Sequence, residues 1–156
     1  MYFVLVFVFC WLWFWVKADK SRLRELFPIC AYTSFLGLIT DLLMVHYQLW
    51  SYKGLPHPLF TIPLTLDFGI YPVVAYFYCQ NLPEQWKQII KRAVLWMIPA
   101  ILFEWVTVRT GNMQHHMWWS MWLSLIADII IYLSIACVYR YYRSAYDQGR
   151  LKGEWA

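Results

Sequence analysis

The chain has 156 residues, of which 62% are hydrophobic and 14% charged, with a formal net charge of +4. An average soluble domain carries ~25% charged residues, so composition argues against an ordinary water-soluble globule. The basic residues flank apolar stretches instead of lining one face, which argues against nucleic acid as a partner. The stretches themselves are about sixteen residues or longer, the pattern of repeated bilayer crossings.

In chain order, the first apolar span covers about 1–16 (MYFVLVFVFCWLWFWV). It lacks the basic n-region of a cleavable signal peptide and is expected to stay in the protein. A basic turn follows, then a second span over about 26–47 that carries Thr33, Gly37 and Asp41 at fourfold spacing. That narrow face is expected to point toward other helices. After a loop with Gly54, Pro56 and Pro58, the third span is expected over about 59–79, with kinks at Pro63 and Pro72.

Asn81, Pro83 and Glu84 have the spacing of a capping box. The amphipathic EQWKQIIKR stretch is then expected to lie in the interface before a fourth span at about 93–108. The fifth span is expected over about 117–138, followed by a polar, basic tail at 139–156. The expected fold is an all-α integral membrane protein, one bundle of five transmembrane helices with the lipid bilayer as its solvent. Of thirteen Lys and Arg, only Lys53 and Arg109 fall outside the turns after the first and third spans and the tail. By the positive-inside rule the N-terminus is therefore outside and the C-terminus cytoplasmic. The high aromatic content, 21%, suits rings anchored at the two headgroup layers.

Asp41, Asp67, Glu104 and Asp128 place one acid in each of the last four spans. A carboxylate near the centre of a membrane helix costs ~2.5 to 3.5 kcal/mol on insertion scales, so each needs a compensating environment or a role. With the expected topology, all four belong to the outer half. Ser120, Ser124 and Asp128 form one helical stripe, and Asp67 shares a face with Tyr71. Together with Trp50 and Tyr52 of the first outer loop, Asp41, Asp67, Tyr71, Glu104, Ser124 and Asp128 are the candidate ligand-binding residues of an outward-facing acidic and aromatic pocket. The corresponding ligand is a cation, a proton or a small polar molecule.

All four histidines, His46, His57, His115 and His116, also fall on the outer side and are the candidate ligands for a transition metal. No ligand spacing supports one: there is no HExxH, and adjacent imidazoles would diverge by about 100° on a helix. No other cofactor is evident, and no GxSxG or similar context marks an activated hydroxyl. Cys10, Cys30, Cys79 and Cys137 sit in apolar spans without redox or zinc spacing and read as packing residues.

Asp41, the stretch His46-Tyr47-Gln48-Leu49-Trp50-Ser51-Tyr52, Leu55-Pro56, then Pro63, Asp67, Pro72 and Phe103-Glu104 resemble an uncharacterised family of small polytopic membrane proteins of spore-forming Firmicutes. The resemblance covers most of the chain and implies a multi-pass protein of the bacterial cytoplasmic membrane; it carries no activity. A fainter similarity, to membrane-embedded lycopene cyclase domains, rests on intramembrane acids beside aromatic and proline-flanked loops. It implies polyene protonation by buried carboxylates.

Three functions are consistent with the sequence. The first is a non-enzymatic membrane protein binding a cation, proton or small polar ligand in transport or sensing. The second is an enzyme acting on a lipid or polyene by carboxylate acid/base chemistry, and the third a structural or assembly protein. Whether the protein is an enzyme is left open. Five helices are few for a transporter, so a homo-oligomer or a larger membrane partner is expected with the first.

Overall fold

The computed structural model describes residues 1–55, 57 and 60–151, with residues 148–151 as backbone only. Pro56, Pro58, the expected start of the third span at Leu59, and tail residues 152–156 lie outside the described residues. Five α-helices dominate: α1 (Tyr2–Lys17), α2 (Leu23–His46), α3 (Tyr71–Gln80), α4 (Trp86–Arg109) and α5 (Met121–Leu151). Two segments, Lys20–His46 and Met121–Asp147, are long and apolar enough to cross a membrane, and α1 is a shorter apolar helix.

Three boundaries differ from the sequence expectation. The third helical stretch begins at Leu64, not Leu59, and its first part is a π-helix at Leu66–Ile70 running directly into α3. Pro72 is the reason. Having no N–H, it cannot donate to Phe68 O; the Trp11 indole reaches that carbonyl from α1 at 3.2 Å. The helix absorbs the misfit by widening one turn, so Tyr71 N–H donates five residues back to Leu66 O.

α4 starts at Trp86 behind Gln85, with no side-chain cap, and Asn81 closes α3. The amphipathic EQWKQIIKR stretch thus supplies, from Trp86 on, the first turns of a single helix ending at Arg109. α5 begins at Met121, four residues late, because Met117 adopts φ +54°, which no helix accommodates. At its other end α5 continues through most of the expected tail, as far as Leu151.

α2 and α4 end alike. After α2, Leu49 N–H bonds Met44 O and Gln48 N–H bonds Val45 O. After α4, Asn112 N–H bonds Thr107 O and Gly111 N–H bonds Val108 O. Both are Schellman closures, with Gln48 (φ +55°) and Gly111 (φ +74°) in the left-handed position. Each turns the chain straight into a short strand, β1 (Trp50–Tyr52) or β2 (Met113–His115). These pair antiparallel, Ser51 opposite Gln114. Because glutamine carries the Cβ penalty that glycine lacks, Gln48→Gly should stabilise the protein by about 0.5–1 kcal/mol, read as a higher melting temperature in detergent.

The helices pack in the order α1, π/α3, α2, α5, α4; α1 and α4, at the ends of this series, are not closely packed on each other. Gly69 permits the first contact, since a Cβ there would lie 2.6 Å from the Phe7 ring. The exposure pattern is inverted relative to a soluble protein. Phe9, Phe35, Leu95, Leu102, Trp122 and Ile130 are exposed, whereas Thr33, Ser34, Asp41, Asp67, Thr107 and Ser124 are buried.

At the end opposite the ribbon, a polar cluster ties α2 to α3 and α5. Arg22 bonds Glu25 in a fork, Tyr139 OH and Gln80 O. Tyr139 OH in turn donates to Glu25 Oε1, and Arg92 of α4 donates to the Tyr78 and Phe77 carbonyls. Asp19 caps the short 3-10 turn Lys20–Arg22 through the Ser21 N–H and hydroxyl, which hold its carboxyl below the usual range.

Candidate functional site

A cavity of about 820 Å³ lies beneath the ribbon, between α1, the π/α3 segment, α2, α4 and α5. Its volume falls in the range of small-molecule sites, roughly 300–1,000 Å³. Asp41 reaches it from α2, Glu104 from α4 and Asp128 from α5, with Tyr71 from α3 and Trp50 and Tyr52 from β1. Most of the other wall residues are aliphatic or aromatic, including Phe9, Trp13, Trp96, Ile131 and Ile135.

Fourfold spacing puts Thr33, Gly37 and Asp41 on one face of α2, and that face lines the cavity. Gly37 is there because the Tyr71 ring lies against it; a Cβ would sit 2.3 Å from Tyr71 Cδ2. Tyr71 thereby stands within electrostatic range of Asp41, Asp67, Glu104 and Asp128 together. Tyr52 OH donates to Asp41 Oδ1 at 2.9 Å, while Asp41 Oδ2, on a residue only 2% exposed, has no hydrogen-bond partner. Burial, with Asp41 beside it, holds the Tyr52 phenol well above its ordinary range, so it stays a donor.

Glu104 is held differently. Its Oε1 accepts from Ser124 Oγ at 2.6 Å and faces His115 Nε2 at 2.8 Å. Trp119 Nε1 donates to the same Ser124 hydroxyl at 3.0 Å and packs edge-on to Trp50. The Trp50 indole N–H is itself buried and unpartnered. Among the described residues no Lys or Arg lines the cavity, and none forms an ion pair with Asp41 or Asp128.

The structure brings together Asp41, Glu104, Asp128, Trp50, Tyr52, Tyr71 and Ser124. Asp67 is the exception: it is fully buried beside Gly37, off the cavity wall, with both carboxylate oxygens unpartnered. The four histidines do not converge. His46 packs on Tyr47 and His57 on Phe60, His115 faces Glu104, and His116 Nε2 lies 2.7 Å from Ser51 Oγ. Among the described residues no three His, Cys, Asp or Glu side chains are grouped to hold a metal.

Sequence reasoning missed Thr107, Thr40 and Tyr2. Thr107 is buried, accepts or donates at 3.0 Å with Tyr2 OH, and bonds Phe103 O, which joins the start of α1 to α4. The i+3 relation to Glu104 was the available signal for Thr107, and the i+3 relation to Gly37 was the signal for Thr40. No family model matches the chain, and neither a curated protein nor a solved structure shows detectable similarity to it.

Proposed function

We propose that this protein is a five-span bacterial cytoplasmic-membrane protein whose outer half holds a binding pocket for a cationic or small polar ligand, used in transport or sensing. One observation carries the reading: carboxylates from three helices line one cavity, no Lys or Arg lines it among the described residues, and one Asp41 oxygen is buried without a hydrogen-bond partner. Buried acids without partners are costly, so a site that keeps them is suited to a ligand that supplies the missing donor.

The membrane reading is supported by the inverted exposure pattern and by the way the ends sort. The loops after α2 and α4 pair with each other at one end, and the basic turns join at the other. The ribbon end is the outer one by the charge rule. A homo-oligomer or larger membrane partner would complete a transport path.

Asp41→Asn and Asp128→Asn should each weaken binding of methylammonium or a monovalent metal cation, measured calorimetrically on the protein in nanodiscs, by roughly tenfold or more. Unchanged binding in both variants, with unchanged melting temperature, would remove the carboxylates from the function. The apolar cavity walls favour a second reading, an enzyme acting on a lipid or polyene with Asp41, Glu104 or Asp128 as acid. Its mark would be a change in membrane lipid composition on deleting the gene, reproduced by Asp128→Asn.

A further inference from the structure

We propose that the ligand is a membrane-dissolved long-chain amine that enters the cavity sideways, between α1 and α4, and sets its ammonium group against Asp41 and Asp128. The inference rests on the pocket reading above and adds the ligand's apolar body and its route. The first argument is the shape and chemistry of the space. Beyond the carboxylates most of the wall is aliphatic and aromatic, as far as Trp96 and Ile135, with Thr33 among its few polar side chains. A small hydrated cation would leave that apolar length unused, whereas an alkyl chain fills it and gains free energy for each methylene buried.

The second argument is access. β1 and β2 roof the carboxylate end, where Trp50 and Met113 are buried. Tyr2 fastens the top of α1 to α4 through Thr107 and stacks on Phe103 with ring centroids 6.3 Å apart. Below that clasp the two helices are not closely packed. Leu5 and Phe9 of α1 line the cavity there, yet are 60% and 68% exposed. A wall residue that is also exposed marks an opening, and this one faces the direction in which the apolar helix surfaces face. The third argument is charge. Asp41 has an oxygen with no partner, and neither Asp41 nor Asp128 is paired with a protein cation among the described residues. An ammonium group supplies donors and the opposite charge together.

The test compares dodecylamine with dodecanol at matched mole fraction in phosphatidylcholine nanodiscs, reading quenching of the protein's tryptophan emission by brominated analogues of each. The amine should bind at least about tenfold tighter than the alcohol, and Asp41→Asn should cut amine binding roughly thirtyfold while leaving alcohol binding unchanged. Equal binding of amine and alcohol, or of amine to wild type and Asp41→Asn, would overturn the proposal. So would binding of methylammonium alone, an outcome that leaves the simpler cation pocket standing.

Route is tested separately. Ser51 and Gln114 lie opposite each other across the ribbon, so S51C with Q114C, in a Cys137→Ser background because Cys137 is exposed, locks the roof on oxidation. Sideways entry predicts the same amine on-rate in oxidised and reduced protein. A large fall on oxidation would show entry from the outer face and refute the lateral route.

Discussion

Replacing Glu25 by alanine should lower stability by about 2–3 kcal/mol. Glu25 Oε1 is where α2 and α5 meet electrostatically. Arg22 Nη2 reaches it at 2.6 Å, Tyr139 OH donates to it, and Arg143 Nε stands 3.9 Å away. Without the carboxylate, Arg22 and Arg143 face each other with no anion between them, and Tyr139 loses its acceptor. The side chains of Glu25 and Arg22 are 15% and 25% exposed, so solvent screens part of the loss and the value falls at or below the low end for buried pairs. Tyr139→Phe removes the hydroxyl that accepts from Arg22 and donates to Glu25 but leaves the ion pair, and should cost about 1–2 kcal/mol. At roughly 2–4 °C per kcal/mol, thermal unfolding in detergent resolves the two variants. A Glu25→Ala protein that melts with the wild type would mean that water, not the cluster, solvates Arg22.

Gly37→Val is expected to cost about 1–3 kcal/mol and to weaken ligand binding at the same time, because the two effects share one contact. A Cβ at this position would stand 2.3 Å from Tyr71 Cδ2, 2.6 Å from Cε2 and 3.2 Å from Asp67 Oδ1. The ring cannot yield toward Asp67, which is buried beside it, so it must move into the cavity, where it would displace ligand. Gly37→Ala should fall at the lower end of the range. Combining Gly37→Ala with Tyr71→Leu should be less destabilising than the sum of the single changes, since the removed ring atoms are those that clash. Strict additivity in that cycle would show that the glycine is needed for its backbone and not for space. Gly111 is the useful contrast: nothing lies within 4 Å of its added Cβ, and its demand comes from φ +74° alone.

Much of the candidate site was legible one helix at a time. The Thr33, Gly37 and Asp41 row follows from helical period and lines the cavity; of the expected Ser120, Ser124 and Asp128 row, Ser124 and Asp128 line it, while Ser120 precedes α5. Asp67 shows where that reasoning stops. It lies with Tyr71 against Gly37, as a shared face requires, yet it sits inside the π turn that precedes Pro72, and of the two only Tyr71 lines the cavity. The separation of the histidines has another origin. His46 ends α2, while His115 lies in the strand pair and His116 between it and Met117 at positive φ, features that no periodicity announces.

By itself the sequence determined a mostly helical chain with five apolar stretches, expected as five spans, of which the structure makes two helices long and apolar enough to cross a membrane. These properties are local: runs of apolar residues, their lengths and the charges that interrupt them. The tertiary structure decided the rest. It paired two distant loops into a roof, turned Glu104 toward His115 and Ser124, kept Asp67 beside Gly37 and off the cavity wall, and left α1 and α4 without close backbone approach. An apolar helix presents several nearly equivalent faces, and which of them meets a neighbour is settled by close contacts such as Gly37 against Tyr71 and Gly69 against Phe7.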